Sequence, residues 1–259
     1  MKLEGNTILV TGGGSGIGLE LSKAFLARGN TVIATGRNLP KLEQAQRDLP
    51  GLQVLQSDVG KPEDVERLYT RVLKDFPKLN VVVNNAGVMR EVNMHHDADN
   101  LDEFTREIDI NFKGPVWMAR KFLGHLKTMP NAAIVNVSSG LAFVPLPISP
   151  IYCATKAALH SFTLSLRAQL KNTQVKVFEL LPPATQTNLL GEFDPKDFEG
   201  VSIMKVDEMV RQCVRGMEKD QLEIRPGQSN QLKFMNRVAP GFILAQLSKP
   251  VDRMLQTKQ

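Results

Sequence analysis

The chain has 259 residues, of which 42% are hydrophobic and 23% charged, with 19 Gly, 15 Pro and 2 Cys. That balance excludes a collagen-like repeat, a disulfide scaffold and a disordered tail, and the length suits one large α/β domain. The 32 Lys and Arg against 27 Asp and Glu give a formal charge of +5, which favours an anionic partner. The basic residues are scattered among acids, which argues against a nucleic-acid-binding tail.

The N-terminal stretch MKLEGNTILV contains Glu4 and only a short apolar run, unlike a secretory signal. No segment reaches the roughly 18 continuous apolar residues of a membrane span. Cys153 and Cys213 are too far apart for a metal-spaced pair. A cytoplasmic protein without integral membrane association is therefore expected. Short β-branched runs follow at Thr7–Thr11, Thr31–Thr35, Leu52–Gln56, Asn80–Val83, Ala132–Val137, Gln174–Leu180 and Gln221–Ile224. Between them lie amphipathic stretches of helical length at Ile17–Arg28, Leu39–Asp48, Pro62–Asp75, Leu101–Lys127, Pro150–Lys171 and Val206–Lys219. The alternation predicts a single-domain α/β Rossmann fold, with a doubly wound seven-stranded parallel sheet and helices on both faces. Its core covers about residues 5–225, and residues 226–259 form a C-terminal extension. The extension reads as a short helix, a break at Pro240-Gly241, and an apolar Phe242–Leu247 patch suited to packing or an oligomer surface rather than a membrane.

After the first strand comes Thr11-Gly12-Gly13-Gly14-Ser15-Gly16-Ile17-Gly18, opening straight into a helix. Glycines let the backbone turn tightly and approach a pyrophosphate, and the helix N-terminus supplies free N–H groups. A glycine-rich turn alone is weak evidence, but its place between the first strand and first helix points to a dinucleotide. The second strand ends in Ala34-Thr35-Gly36-Arg37-Asn38, with no carboxylate for an adenosine ribose. Arg37 instead suits a 2′-phosphate, so NADP(H) is expected over NAD(H), which stays possible; a solvated surface arginine is the alternative. Asp58 and Val59 could hold the adenine, or Asp58 could serve as a helix cap.

The series Thr11 to Gly18, Asn84-Asn85-Ala86-Gly87, Asn111, Ser138-Ser139 and Tyr152-Cys153-Ala154-Thr155-Lys156 resembles the short-chain dehydrogenase/reductase family over roughly residues 5–225. Ser139 precedes Tyr152 by 13 residues and Asn111 precedes Ser139 by 28. The spacing also has a physical reading. Tyr152 and Lys156, four apart, share a helix face, so the ammonium is expected to lower the phenol pKa and make Tyr152 a general acid or base. Ser139, at a strand end, would hydrogen-bond and polarise the substrate oxygen. Lys156 could also hold the nicotinamide ribose. The resemblance implies that Asn111 supports a water relay to Lys156 and that Asn85, Ala86 and Gly87 line the adenosine ribose. It likewise places Pro182, Thr185 and Thr187 beside the nicotinamide carboxamide. Pro183 stands where the family usually has glycine, and this double proline resembles the DltE-like oxidoreductase subgroup.

No metal site is expected: His95-His96-Asp97 consists of neighbours that cannot easily face one ion, and no third ligand has useful spacing. Cys153 reads as a packed helix residue, and Trp117 and Met118 as core or helix-interface residues. Leu141–Ile151 is expected to form a pocket wall, and Asn188–Met204 a lid over an apolar or mixed substrate. The leading expectation is an NADP(H)-dependent oxidoreductase acting on a small carbonyl or alcohol, as a homodimer or homotetramer by resemblance. The alternative is a non-catalytic dinucleotide-binding sensor or scaffold.

Overall fold

Runs of Val, Ile and Leu are stable in the middle of a sheet only when both faces are covered, and the burial of these strands shows that they are. The computed structural model describes residues 1–96, 100–191 and 193–256. Its strands are β1 (Thr7–Thr11), β2 (Thr31–Gly36), β3 (Gln53–Gln56), β4 (Leu79–Asn84), β5 (Ala133–Val137), β6 (Lys176–Leu180) and β7 (Glu223–Ile224). They form one seven-stranded sheet in the order β3-β2-β1-β4-β5-β6-β7, and every pairing is parallel. The expected doubly wound Rossmann architecture is therefore present.

The pleat sends alternate residues to opposite faces. Ile8, Val10, Val81, Val83, Val135 and Phe178 pack with α1 (Gly16–Leu26) and, later in the chain, α7 (Val206–Glu218). Leu9, Ile33, Val82, Ile134 and Val177 face the opposite layer, formed by α3 (Pro62–Asp75), α5 (Gly114–Leu126) and α6 (Pro150–Gln169). The short α2 (Leu39–Asp48) is capped by Asn38, whose side chain accepts the Lys41 N–H at 2.9 Å.

One expectation about helix continuity is corrected, and one expected break is located. The stretch read as one helix from Leu101 to Lys127 is α4 (Leu101–Ile108), a π-helical turn at Asp109–Lys113, and α5. Pro115 has no N–H for the Asn111 carbonyl four residues back, and the wider turn absorbs this without breaking the chain's direction. Gly114 fits because a Cβ there would lie 2.9 Å from the Val59 carbonyl oxygen. At the other end, Pro240-Gly241 starts a helix. Proline in a first turn forfeits no helical bond, so α8 (Ser229–Val238) turns a corner at Ala239 into α9 (Pro240–Gln256). Among the described residues no helix is long and apolar enough to cross a membrane.

Phe122 is fully buried on α5 and meets Tyr69 edge to face, with ring centroids 5.2 Å apart. Phe122→Ala is expected to cost about 3–5 kcal/mol, measured as a fall in the urea unfolding midpoint at unchanged slope.

Candidate active site

All six parallel crossovers place the loops that follow the strands at one end of the sheet. Because β1 has β2 on one side and β4 on the other, the loops after β1 and β4 diverge and leave a crevice between them. A cleft of about 1090 Å³ opens there, larger than most small-molecule pockets, which run to roughly 1,000 Å³. It is lined by Gly12, Gly14, Ser15, Gly16 and Ile17 of the first loop, by Arg37, Asp58 and Val59, and by Asn85, Ala86 and Gly87 after β4. Ser139, Tyr152, Lys156, Pro182, Thr185 and Thr187 complete this set. Of the residues singled out in the sequence, Gly18 and Asn111 do not line the cleft and sit behind its wall.

The glycines are present for space. Gly12 has φ +64°, and a Cβ on it would lie 2.8 Å from Ala86 Cα. A Cβ on Gly18 would lie 2.3 Å from the Gly12 carbonyl oxygen. The Thr11 hydroxyl ties the two lips together: it accepts the Asn85 and Ala86 N–H groups at 3.0 and 3.1 Å and donates to Val83 O at 3.3 Å. Ser15 at the N-cap of α1 makes no side-chain cap bond, and the first turn holds no acidic residue. The open N–H groups and positive dipole end therefore face the cleft without a competing carboxylate. The residues present fit a dinucleotide pyrophosphate.

Arg37 is exposed at the cleft edge, and no hydrogen bond or ion pair engages its guanidinium among the described residues. Asp58 stitches its own loop: its carboxylate accepts the Gly60 N–H at 3.0 Å and lies 3.6 Å from Arg106. It does not cap α3, whose N-cap residue is Lys61.

At the far end, Tyr152 and Lys156 occupy the first turns of α6 and are 6% and 4% exposed. Lys156 Nζ lies 5.4 Å from the Tyr152 ring centroid and donates to Val137 O at 2.9 Å. The Ser139 side chain lines the same cleft as Tyr152 and accepts the Leu141 N–H at 3.1 Å. Asn111, in the π-helical turn, donates to Val88 O at 2.8 Å and to Thr155 Oγ1 at 3.2 Å, and accepts the Val88 N–H at 2.9 Å. A Cβ on Gly87 would touch Asn111 Oδ1 at 3.3 Å and Lys156 Nζ at 3.5 Å, so only glycine leaves that corner open.

The electrostatics correct one expectation. Lysine at i+4 was expected to lower the Tyr152 pKa, yet burial pushes it well above the ordinary value, with the Ser139 hydrogen bond opposing. Desolvation of the phenolate outweighs a neighbouring ammonium at this distance. The same burial pulls Lys156 down to about 8, with Glu179 opposing.

The substrate end was only partly legible. Leu141 and Leu146 form the expected wall, and Leu189, Leu190 and Phe198 contribute from the segment expected to be a lid. Glu192 of that segment and Asp97 of the His95-His96-Asp97 series lie outside the described residues. Leu232 and Met235 of α8 and Ile243 and Leu247 of α9 also line the cleft. Tyr152 joins an apolar cluster with Met89, Leu146, Ile148 and Phe193, against which Leu247, Val251 and Met254 pack. The only sequence signal for the α9 wall was the apolar patch, which divides: Leu247 turns inward while Phe242 is 59% exposed. Cys153 packs in the same cluster, its thiol pushed up to about 11 by burial and its Sγ accepting the Leu146 N–H at 3.1 Å.

Gly18→Ala is expected to destabilise the chain by about 1–3 kcal/mol through overpacking against the Gly12 backbone. Urea unfolding measures this, and a variant as stable as the parent would show that the loop yields freely.

The comparisons with known proteins agree with this geometry. The family model described as short chain dehydrogenase matches residues 6–197. The Bacillus subtilis (strain 168) protein described as uncharacterized oxidoreductase DltE is 44% identical over 226 residues, covering 86% of this chain and 89% of its own. An uncharacterized oxidoreductase of Staphylococcus aureus (strain MRSA252) is 30% identical, with coverage of 84% and 96%. A short chain dehydrogenase from Burkholderia cenocepacia J2315, crystallised in complex with NADP, superposes with a TM-score of 0.82 at 27% identity, covering 96% of this chain and 100% of its own. A 3-ketoacyl-(acyl-carrier-protein) reductase from Brucella melitensis, complexed with NADH, gives 0.75 at 28% identity, with coverage of 83% and 91%. Taken with the seven-stranded sheet and the glycine crevice, these matches show that the chain belongs to the short-chain dehydrogenase family.

Proposed function

We propose that this chain is an NADP(H)-dependent oxidoreductase acting on a small carbonyl or alcohol, with Tyr152 as general acid or base. The observation that carries this reading is the meeting of Ser139, Tyr152 and Lys156 at the wall of the cleft, opposite the corner kept open by Gly87. When bound, the nicotinamide supplies or accepts the hydride. The protein positions the groups and handles the proton.

Ser139 reaches the reacting oxygen from the end of β5 and offers it a hydrogen bond. The buried phenol of Tyr152 holds its proton through neutral pH, which suits donation to the oxygen of a carbonyl undergoing reduction. An ammonium carries three donors. Lys156 uses one on Val137 O, leaving others for ribose hydroxyls, and its charge steadies the phenolate as the proton departs. Asn111, behind Lys156, holds the Val88 backbone by two bonds and so fixes the floor of the site. In this reading Gly12 to Gly18 and the N-terminus of α1 take the pyrophosphate, and Asn85, Ala86 and Gly87 take the adenosine ribose. Asp58 and Val59 flank the adenine, and Pro182, Thr185 and Thr187 meet the carboxamide.

Arg37, exposed and without a carboxylate beside it at the end of β2, favours the 2′-phosphate of NADP(H). The Pro183 carbonyl accepts the Thr185 hydroxyl at 2.8 Å, so the loop with proline in place of the usual glycine closes on itself and keeps Thr185 at the cleft. The apolar wall at the Tyr152 end matches an apolar or mixed substrate. The chain acts as one domain in the cytoplasm, as a homodimer or homotetramer. A sensor that merely binds a dinucleotide would have no use for Ser139, Tyr152 and Lys156 gathered at one cleft wall.

Fluorescence titration should show NADPH binding more tightly than NADH. Arg37→Ala should weaken NADPH about tenfold, the loss of a charge-assisted hydrogen bond worth about 1.5 kcal/mol, and leave NADH unchanged. Tyr152→Phe should retain NADPH binding and lose turnover on a carbonyl panel by roughly 10²-fold or more. Equal NADPH affinity in the Arg37 variant would sink the 2′-phosphate assignment, and full turnover in Tyr152→Phe would sink the proposed chemistry.

A further inference from the structure

Near the ends of the central strands, the face beneath α6 changes from apolar to polar. Asn84, Asn136, Glu179 and Glu223 lie in register across β4, β5, β6 and β7. Asn84 donates to Asn136 at 2.8 Å, and Asn136 donates to Thr163 of α6 at 2.9 Å. Glu179 is 0% exposed. One of its oxygens accepts the Ser138 hydroxyl at 2.6 Å, and the other lies 2.8 Å from His160 Nδ1. His160 is one helical turn beyond Lys156, and Lys156 is docked on Val137, the residue before Ser138. The carboxylate is therefore clamped to the same strand end and the same helix that carry the lysine. Sequence reading assigned no role to Glu179 or His160.

We infer that Glu179, held by Ser138 and His160 beside the strand end that anchors Lys156, is a positioning residue that keeps the Lys156 side chain charged. It thereby sets the pH range over which Lys156 serves the proposed Tyr152 chemistry, and in that respect the inference rests on the function proposed above. A fully buried ammonium is stable only with a counter-charge. The groups in contact with Lys156 are the Tyr152 ring and the Val137 carbonyl, and the charge of Glu179 acts on it without direct contact. Those facing Glu179 are Ser138 from the end of β5, His160 from α6, and its register partner Glu223 on β7. Glu223 is itself occupied by Lys233 of α8 at 2.5 Å and Arg225 at 3.3 Å. Phe143 packs edge to face on the His160 ring, with centroids 5.1 Å apart.

Burial lowers Lys156 and Glu179 raises it. With Glu179 neutral only the lowering remains, so the ammonium gives up its proton at a lower pH. The charge is present below the Lys156 midpoint and lost as pH rises through it, so the alkaline limb of a rate profile moves toward neutrality.

The test is lysine side-chain NMR on the full chain without nucleotide, with the Lys156 resonance assigned by its absence in Lys156→Arg. In the parent protein Lys156 is expected to titrate near pH 8. Glu179→Gln should move the midpoint down by on the order of one pH unit. Glu179→Met, a neutral side chain of similar volume, should do the same and serves if the Gln variant does not fold. Glu179→Asp, which keeps the charge, should lie between the neutral variants and the parent. The alkaline limb of kcat/KM should move with the NMR midpoint. Neutral variants that fold and titrate as the parent does would overturn the inference. Because the titration needs no turnover, this result is independent of Tyr152→Phe, whose full activity would overturn only the proposed reaction.

Discussion

The hydroxyl of Thr11 holds the site together. It is the last residue of β1, at the point where the neighbouring strands lead their loops apart, and it satisfies the N–H groups of Asn85 and Ala86 from the loop after β4. The Asn85 side chain returns the contact by donating to Thr11 O at 2.9 Å. A crevice at a switch point would otherwise expose unpaired backbone donors on both lips. Once they are pinned, the two loops can approach only if the first has no side chain facing the second, which is the constraint met at Gly12. The helix α1 then starts directly behind the loop and points its open N-terminus at the gap. Strand order, hydroxyl, glycine and helix are thus linked: each would lose its purpose in this place without the one before it.

At the other end of the cleft the governing tension lies between burial and charge. Tyr152 and Lys156 are nearly inaccessible, and burial drives both toward their neutral forms. The fold sets fixed polar partners against this tendency. Val137 O anchors the lysine, Ser139 opposes the upward shift of the phenol, and the π-helical turn at Asp109–Lys113 brings Asn111 to the Val88 backbone. A further carboxylate, Glu107 of α4, is fully buried, and its pKa is raised chiefly by that burial, with Arg90 4.0 Å away opposing. So many polar groups in one dry corner cost stability that an apolar core would not. Their concentration beside a cleft is the pattern expected where proton handling, rather than stability, decides the residues.

The sequence revealed the parts of this arrangement that depend on local pattern. Strands buried on both faces must be rich in Val, Ile and Leu, and β1 was located to the residue because Asn6 and the glycines bracket it. The Gly12–Gly18 loop and the Tyr152–Lys156 pair are contiguous or one turn apart, so their geometry follows from backbone periodicity alone. The π-helical turn was hidden because periodicity tolerates one wider turn within a single amphipathic stretch. Glu179 was hidden for a different reason. It interrupts a buried strand, VFELL, where a charge contradicts the surrounding residues, and its partners Ser138 and His160 lie 41 and 19 positions away. No one-dimensional pattern reports a hydrogen bond of that span. The direction of the Tyr152 shift was missed similarly, because spacing shows the neighbouring lysine but not the loss of water around both groups.

The boundary of the family-model match falls within the cleft itself. The family match ends at residue 197, after the glycine loop, the Thr11 clasp and the Ser139, Tyr152 and Lys156 corner. The walls supplied by Leu232, Met235, Ile243 and Leu247 come from α8 and α9, beyond that limit. These helices rest on the short turn that begins after Ser139: a Cβ on Gly140 would come within 2.8 Å of the Ser229 hydroxyl oxygen. That wall is thereby built on the residue beside Ser139. The Lys156 anchor lies on Val137 O of β5, whereas Gly140 lies between Ser139 and the Ser229 end of α8. A side chain at Gly140 would therefore press on the start of α8 and strain the turn that follows Ser139 at once.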